Sequence, residues 1–253
     1  MSANILNVLI FDVEGTLVDT ESAHRAAFNH AFAALGLGWE WDEALYTELL
    51  DISGDKERLL HYWETTRPDL RAPGASARQD TVNRLHELKT IAYVRAVNSG
   101  SVGLRPGMLR LMDEALSQGL QLAIASITSP VNIAALLRNA VGADWRRRFT
   151  AMGDASTAPL KKPHPQVYQQ VLSELSVASA QCLAFEYSSN GLRAATAAGL
   201  ATVITPTRYT AQHDFSAALR VLPDLSEVNL VQLRQWHALG LAHDGTQEEG
   251  RLT

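Results

Sequence analysis

Apolar residues follow two rhythms along this chain. LNVLIFDVEGTLVDTE (6–21) opens with an almost unbroken apolar run that stops at Asp12 and meets Gly15, the pattern of a short strand buried on both faces in a parallel sheet. From about residue 20 to 98 the spacing becomes helical. SAHRAAFNHAFAALGLG (22–38) ends in Gly36 and Gly38, which suit a helix stop, and WDEALYTELLDIS (41–53) and DKERLLHYWETT (55–66) continue the helical pattern. Beyond the loop-like RPDLRAPGASA (67–77), ARQDTVNRLHELKTIAYVRAVNS (77–99) predicts a further helix. The rhythm then alternates. GLQLAIAS (119–126), ADWRRRFTAMGD (143–154), QCLAFEYS (181–188) and GLATVITP (199–206) carry strand-like runs separated by helical stretches. Such alternation predicts βαβ units, and hence an α/β fold: a doubly wound parallel-sheet core from residues 1–18 and 99–253, with an all-helical insert over 19–98. The polar tail GLAHDGTQEEGRLT (240–253) is expected to fray.

Composition changes this picture mainly by exclusion. The 253 residues are 46% hydrophobic and 19% charged, ordinary for a soluble protein, and contain no run of about 18 apolar residues that predicts a membrane span. A formal charge of -5 argues against a nucleic-acid surface, and the nearest basic cluster, Arg146 to Arg148, reads as a solvated helix end or loop. Cys182 has no cysteine partner within the chain, and the first residues lack a positive stretch followed by a small-residue cleavage site; the expected location is cytoplasmic.

Ligands of doubly wound sheets bind beyond the carboxyl ends of the strands, so four places hold the candidate chemistry. The first carries Asp12, Glu14 and Thr16, and the second Ser126 with Thr128. The third is PLKKPHPQVY (159–168), in which Lys161 and Lys162 stand before a helix opened through Pro163 and Pro165; the fourth is Glu186. Each alone reads as a turn, a cap or a solvated helix start. Together they supply an oxygen nucleophile, a second acid, hydroxyls, an ammonium and a third carboxylate. That inventory suits phosphoryl transfer with a hard cation.

FDVEGTLVDTE, LAIASITS, KKPHPQVY and LAFEYSSNGLRAATAAGL resemble the four motifs of the haloacid dehalogenase (HAD) superfamily, whose core is Rossmann-like, in the arrangement with a helical cap inserted after the first strand. AHRAAFNHAFAALGLGWEW, GDKER, LHELKT, GLRPG and ITPTRYTAQHDFSAA further resemble the CbbY-type sugar-phosphate phosphatases, relatives of β-phosphoglucomutase that include enzymes acting on xylulose 1,5-bisphosphate. The resemblance implies that Asp12 attacks phosphorus to form an aspartyl-phosphate and that Glu14 is the general acid/base. It implies that Ser126 binds the transferring group and that Lys162 offsets its charge. Magnesium is implied as cofactor, held by Asp12, the Glu14 backbone carbonyl and Glu186. Thr16, Ile127 and Asn190 in the core, and Glu21, His24, Lys56, Arg58 and Lys89 in the cap, are implied to contact a small phosphorylated sugar. The expected protein is a monomer or weak dimer with no nucleic-acid or membrane partner.

Two positions depart from the family pattern. Glu14 stands where Asp is usual, one methylene longer, and Tyr187 stands where a second Asp follows the motif-four carboxylate. A misplacement of roughly 1 Å at an acid/base costs about a hundredfold, and a phenol removes one anionic ligand from a hard cation. The residues therefore leave three readings open: a phosphatase, a close phosphomutase variant, and a catalytically weakened fold that binds a phosphosugar.

Overall fold

In a computed structural model, residues 5–66, 75–100 and 102–249 are described. Residues 67–74 of the expected loop at 67–77, and the last four residues of the expected frayed tail, lie outside them, while residues 75–77 begin a helix instead of ending the loop. In chain order the elements are β1 (Val8–Phe11), α1 (Glu21–Ala34), α2 (Glu43–Leu49), α3 (Asp55–Thr66), α4 (Ala75–Asn98), α5 (Met108–Ser117), β2 (Gln121–Ala125), α6 (Pro130–Val141), β3 (Ala151–Gly153), α7 (Gln166–Leu175), β4 (Cys182–Glu186), α8 (Ser189–Ala197), β5 (Ala201–Ile204), β6 (Arg220–Val221) and α9 (Leu230–Glu249). They divide into two compact units, Met1–Asp19 with Gly103–Thr253, and Thr20–Val102.

The first unit is built on a parallel sheet of order β3-β2-β1-β4-β5-β6. The chain fills one side of β1 and then returns to fill the other, so the switch point lies between β1 and β4, where such sheets form ligand crevices. Val8, Leu9, Ile10 and Phe11 are all fully buried, as their apolar run requires of a central strand. Phe11 stacks on Phe185 of β4 with ring centroids 4.7 Å apart. Helix starts follow local chemistry. Ser129 caps α6 ahead of Pro130, Ser188 caps α8 by accepting the Gly191 amide at 3.1 Å, and α7 begins at Gln166, after both prolines rather than through them.

The structure departs from the sequence pattern in further places. The run ADWRRRFTAMGD yields a strand of only Ala151–Gly153, because Trp145–Arg148 wind into a 3₁₀ turn with Trp145 buried. A short edge strand, Arg220–Val221, exists that apolar patterning does not reveal, since both residues are exposed and only pairing with β5 defines it. The tail is helical through Glu249 as the end of α9 instead of frayed. Among the described residues no helix is long and apolar enough to cross a membrane.

The second unit is helical, with an aromatic core. Phe28 meets Trp41 at 4.5 Å, Phe32 meets Trp41 at 5.0 Å, and Trp39 meets Tyr62 and Trp63 edge-on at 5.3 Å. The segment between α1 and α2 has no helical ladder for its backbone. Asn29 supplies one: its side-chain amide donates to the Trp41 carbonyl at 2.9 Å and accepts the Trp41 amide at 2.8 Å. Trp41 is fully buried, so its N–H has no recourse to water. Asn29→Ala is expected to destabilise this unit by about 1–3 kcal/mol, the cost of orphaning a buried donor, measurable as an earlier urea transition in tryptophan fluorescence.

Candidate active site

Sheet register assembles the site. β1 pairs with β2 at Phe11 and Ile124, and with β4 at Phe11 and Phe185. Continuing by one residue places Asp12 beside Ala125 on one side and Glu186 on the other, and the Asp12 amide extends the ladder to the Phe185 carbonyl at 3.1 Å. In-register residues on neighbouring strands project the same way about 4.8 Å apart, so two carboxylates are forced together at the carboxyl ends of the two central strands. Both are nearly fully buried, Asp12 at 4% and Glu186 at 1% exposure.

Lys162 answers that charge. Its ammonium donates to Asp12 Oδ1 at 2.8 Å, to Glu186 Oε1 at 2.5 Å and to the Ala125 carbonyl at 2.9 Å, which uses all three of its protons on one row of the sheet. It also lies 5.1 Å over the ring of Tyr168. Burial alone lowers an ammonium, but the Asp12 and Glu186 charges outweigh it and hold Lys162 above its ordinary value. Asp12 moves the other way. Burial pushes its carboxyl up to about 7, with Lys162 opposing and the Glu186 charge adding to the rise. Its second oxygen accepts the Thr16 hydroxyl at 3.0 Å.

The remaining positions take distinct stations. The Glu14 carboxylate accepts the Thr128 hydroxyl. Ser126 is buried, continues the ladder through its amide to the Gly153 carbonyl at 3.1 Å, and accepts the Thr128 amide at 3.4 Å. Ile127, between them, is half-buried. Thr16, expected to meet substrate, has no exposure and spends its hydroxyl on Asp12. Asn190 is buried in the first turn of α8 and accepts from Arg193. Lys161 is exposed and is set apart from Lys162 by its position.

Within the helical unit the expected contacts are tied into a network of their own. Glu21 accepts the Tyr46 hydroxyl at 2.8 Å, and His24 stacks on Tyr93 at 4.0 Å. Arg58 donates to the Leu49 and Ile52 carbonyls at 2.9 and 3.1 Å. Lys56 reaches Asn83 at 2.8 Å, and Lys89 pairs with Asp55 beneath the rings of Phe28 and Tyr93. Asp55 also faces Arg58 and His86. Burial opposes its ionisation, but Lys89, His24 and Arg58 together hold it far below the usual carboxylate range.

Sequence reasoning missed three residues. Tyr168 donates to Glu186 Oε1 at 2.7 Å, from a helix face where a tyrosine reads as core. Burial first, then the Glu186 charge, push its hydroxyl well above the ordinary range, so it stays a donor. Asp55 had no signal beyond its place in GDKER. Arg105, in GLRPG, donates to the Gly15 carbonyl at 2.7 Å across ninety residues, which no local pattern encodes.

Among the described residues no group of three or more His, Cys, Asp or Glu side chains is placed to hold a metal ion. The oxygen set that the sequence resemblance implies is smaller: two carboxylates, Asp12 and Glu186, and the Glu14 carbonyl. Glu186 Oε1 is taken up by Lys162 and Tyr168, while Oε2 accepts the Tyr187 amide at 3.2 Å and presses on Gly191, where a β-carbon would stand 1.9 Å from it. Hard oxygen donors with no more than two carboxylates fit a magnesium ion that completes its shell with water and phosphate oxygens. Two polar side chains that follow β3 and β4, Asp154 and Ser188, are engaged locally. Asp154 Oδ1 binds the Ser156 amide and hydroxyl at 2.8 and 2.6 Å, and Ser188 caps α8.

Because the folded-state pKa of Asp12 is raised above that of an unfolded aspartate, near 3.9, its contribution to stability is full below that value and is lost as pH rises towards about 7. In metal-free protein the thermal midpoint is therefore expected to carry a downward component between about pH 4 and 7 that Asp12→Asn removes.

Comparison with known proteins agrees with this geometry. Residues 6–199 match the family model for haloacid dehalogenase-like hydrolases. The chain is 48% identical over 248 residues to the plasmid-encoded protein CbbY of Cupriavidus necator, covering 92% of this chain and 97% of that one. It is 30% identical to hexitol phosphatase B of Escherichia coli K12, over 91% and 96% of the two chains. CbbY of Rhodobacter sphaeroides, solved with phosphate and, as a mutant, with xylulose 1,5-bisphosphate, superposes with a TM-score of 0.80 at 38% identity, over 90% of this chain and 98% of that one.

Proposed function

Since the chain belongs to the haloacid dehalogenase-like hydrolases, we propose that it is a magnesium-dependent phosphatase of a small phosphorylated sugar, working through Asp12. The observation that carries the reading is the Asp12 carboxylate at the switch point of the sheet, one oxygen held by Lys162 and the other by Thr16. The relatives that carry phosphate, xylulose bisphosphate or a hexitol phosphatase name support the substrate class.

Asp12 is the nucleophile. An aspartate that attacks phosphorus must be ionised and aimed, and the ammonium and hydroxyl on its two oxygens fix the plane of the carboxylate while leaving lone pairs for attack. Lys162 then faces the charge that accumulates as the phosphoryl group moves onto Asp12, in a buried place where that interaction is strong. Ser126, with its hydroxyl at the end of β2, binds the transferring group. Glu14 protonates the leaving sugar oxygen and later takes a proton from water, and the Thr128 hydroxyl holds its longer side chain in one direction. Asp12, Glu186 and the Glu14 carbonyl would hold magnesium. Bound there, the cation would draw the phosphate to the nucleophile and neutralise part of its charge. Substrate choice is assigned to the helical unit as a cap, through Glu21, His24, Lys56, Arg58 and Lys89. A mutase outcome would need a second sugar hydroxyl in place of water at the phospho-enzyme. A weakened, phosphosugar-binding protein is the second reading, favoured by Tyr187, which brings no carboxylate beside Glu186.

Phosphate release from sugar mono- and bisphosphates, with millimolar magnesium and with chelator, tests the reading. Turnover is expected to need magnesium and to fall by at least about a thousandfold in Asp12→Asn, and by about 10² to 10⁴ in Glu14→Gln. Absence of turnover with retained sugar-phosphate binding would instead favour the weakened reading. Tyr168→Phe removes a hydrogen bond that orients Glu186 without changing the packed volume much. Its magnesium dissociation constant, read by calorimetry, is expected to rise about 10- to 100-fold.

A further inference from the structure

The turn that carries Glu14 is gripped from two sides at Gly15. This glycine has φ +84°, in the left-handed region, and both of its backbone polar groups are engaged. Its amide donates to the Val18 carbonyl at 2.7 Å, and its carbonyl accepts Arg105 Nη1 at 2.7 Å. On the other side lies the Tyr187 ring. A β-carbon on residue 15 would stand 2.4 Å from Tyr187 Cε2 and 2.5 Å from Cδ2, so the ring rests directly against the glycine α-carbon.

Arg105 does more than hold one carbonyl. The same guanidinium donates to the Thr205 carbonyl, to Thr205 Oγ1 at 3.1 Å, to the Pro206 carbonyl at 2.8 Å and to the Pro223 carbonyl at 3.3 Å. Its backbone amide donates to the Leu17 carbonyl at 2.8 Å. Thr205 in turn donates its amide to the Glu186 carbonyl at 2.9 Å. One side chain thus ties the turn after β1 to the loop after β5, and through it to the end of β4. A planar fork with five N–H donors can do this, and a lysine cannot.

The two peptide planes that flank Gly15 are therefore both fixed, one through its N–H and the other through its C=O, and a peptide plane is rigid. Fixing them sets the direction in which the Glu14 carbonyl points and the place from which its side chain departs. We propose that Arg105 and Tyr187 are positioning residues for Glu14, acting through Gly15, and that Tyr187 serves this turn as a packing group instead of marking a lost metal ligand. The inference rests on the phosphatase reading for the role of Glu14.

The test is steady-state hydrolysis of a sugar monophosphate with magnesium by the wild type and by Arg105→Lys, Tyr187→Ala, Tyr187→Phe and Tyr187→Asp. It is paired with amide hydrogen exchange across residues 12–18. Arg105→Lys and Tyr187→Ala are expected to lower kcat by about 10- to 100-fold with little change in KM, and to speed exchange of the Gly15 amide. Tyr187→Phe keeps the ring and is expected to restore both readouts to near wild type, and Tyr187→Asp to lower kcat. An active wild type with Arg105→Lys and Tyr187→Ala indistinguishable from it, or a Tyr187→Asp that gains turnover, overturns the assignment alone. A wild type that releases no phosphate overturns the phosphatase reading and this assignment with it.

Discussion

Two carboxylates stand level at the carboxyl ends of adjacent central strands, and one buried ammonium makes their proximity tolerable. Without Lys162, Asp12 and Glu186 would be like charges in register with almost no water to screen them. With it, each carboxylate gains a charge-assisted bond, and the third proton of the ammonium closes on the Ala125 carbonyl of the neighbouring strand. The arrangement still leaves one net negative charge in the buried triad. Burial raises the Asp12 carboxyl against the pull of Lys162, with the Glu186 charge adding to the rise, and a bound cation would oppose it.

Much of the first unit can be understood as support for that row. β1 is buried along its whole length, which fixes the height of Asp12. Ser126 and Thr205 take the next ladder steps beyond the row, through Gly153 and Glu186. Tyr168 completes the bonding of Glu186, and Gly191 lets that carboxylate lie against the start of α8. Gly15 turns the chain sharply, so that Glu14 meets Thr128 while Asp12 meets Lys162. The two acids of the first motif therefore serve different partners although only one residue separates them. The helical unit shows the same habit on its own terms, with Asp55 placed among Lys89, Arg58 and His86.

The sequence by itself determined the alternation of strands and helices, the helical insert, and the identity of the residues that meet at the switch point, because apolar periodicity and strand-end polar residues are local signals. Asp12, Ser126, Lys162 and Glu186 were all legible as polar groups following apolar runs or opening a helix. Only the tertiary structure decided how they join. Register made Asp12, Ala125 and Glu186 one row, which no single segment contains. Long-range packing turned Tyr168 from a core residue into a bonding partner, brought Arg105 to Gly15, and laid the Tyr187 ring on that glycine. It also defined the edge strand Arg220–Val221 through pairing alone, and gave Thr16 to Asp12. The physical reason is common to all of these. A side chain's identity is written locally, but the partner that fixes its charge, its direction and its role is supplied by residues up to about 150 positions away, as Lys162 is to Asp12.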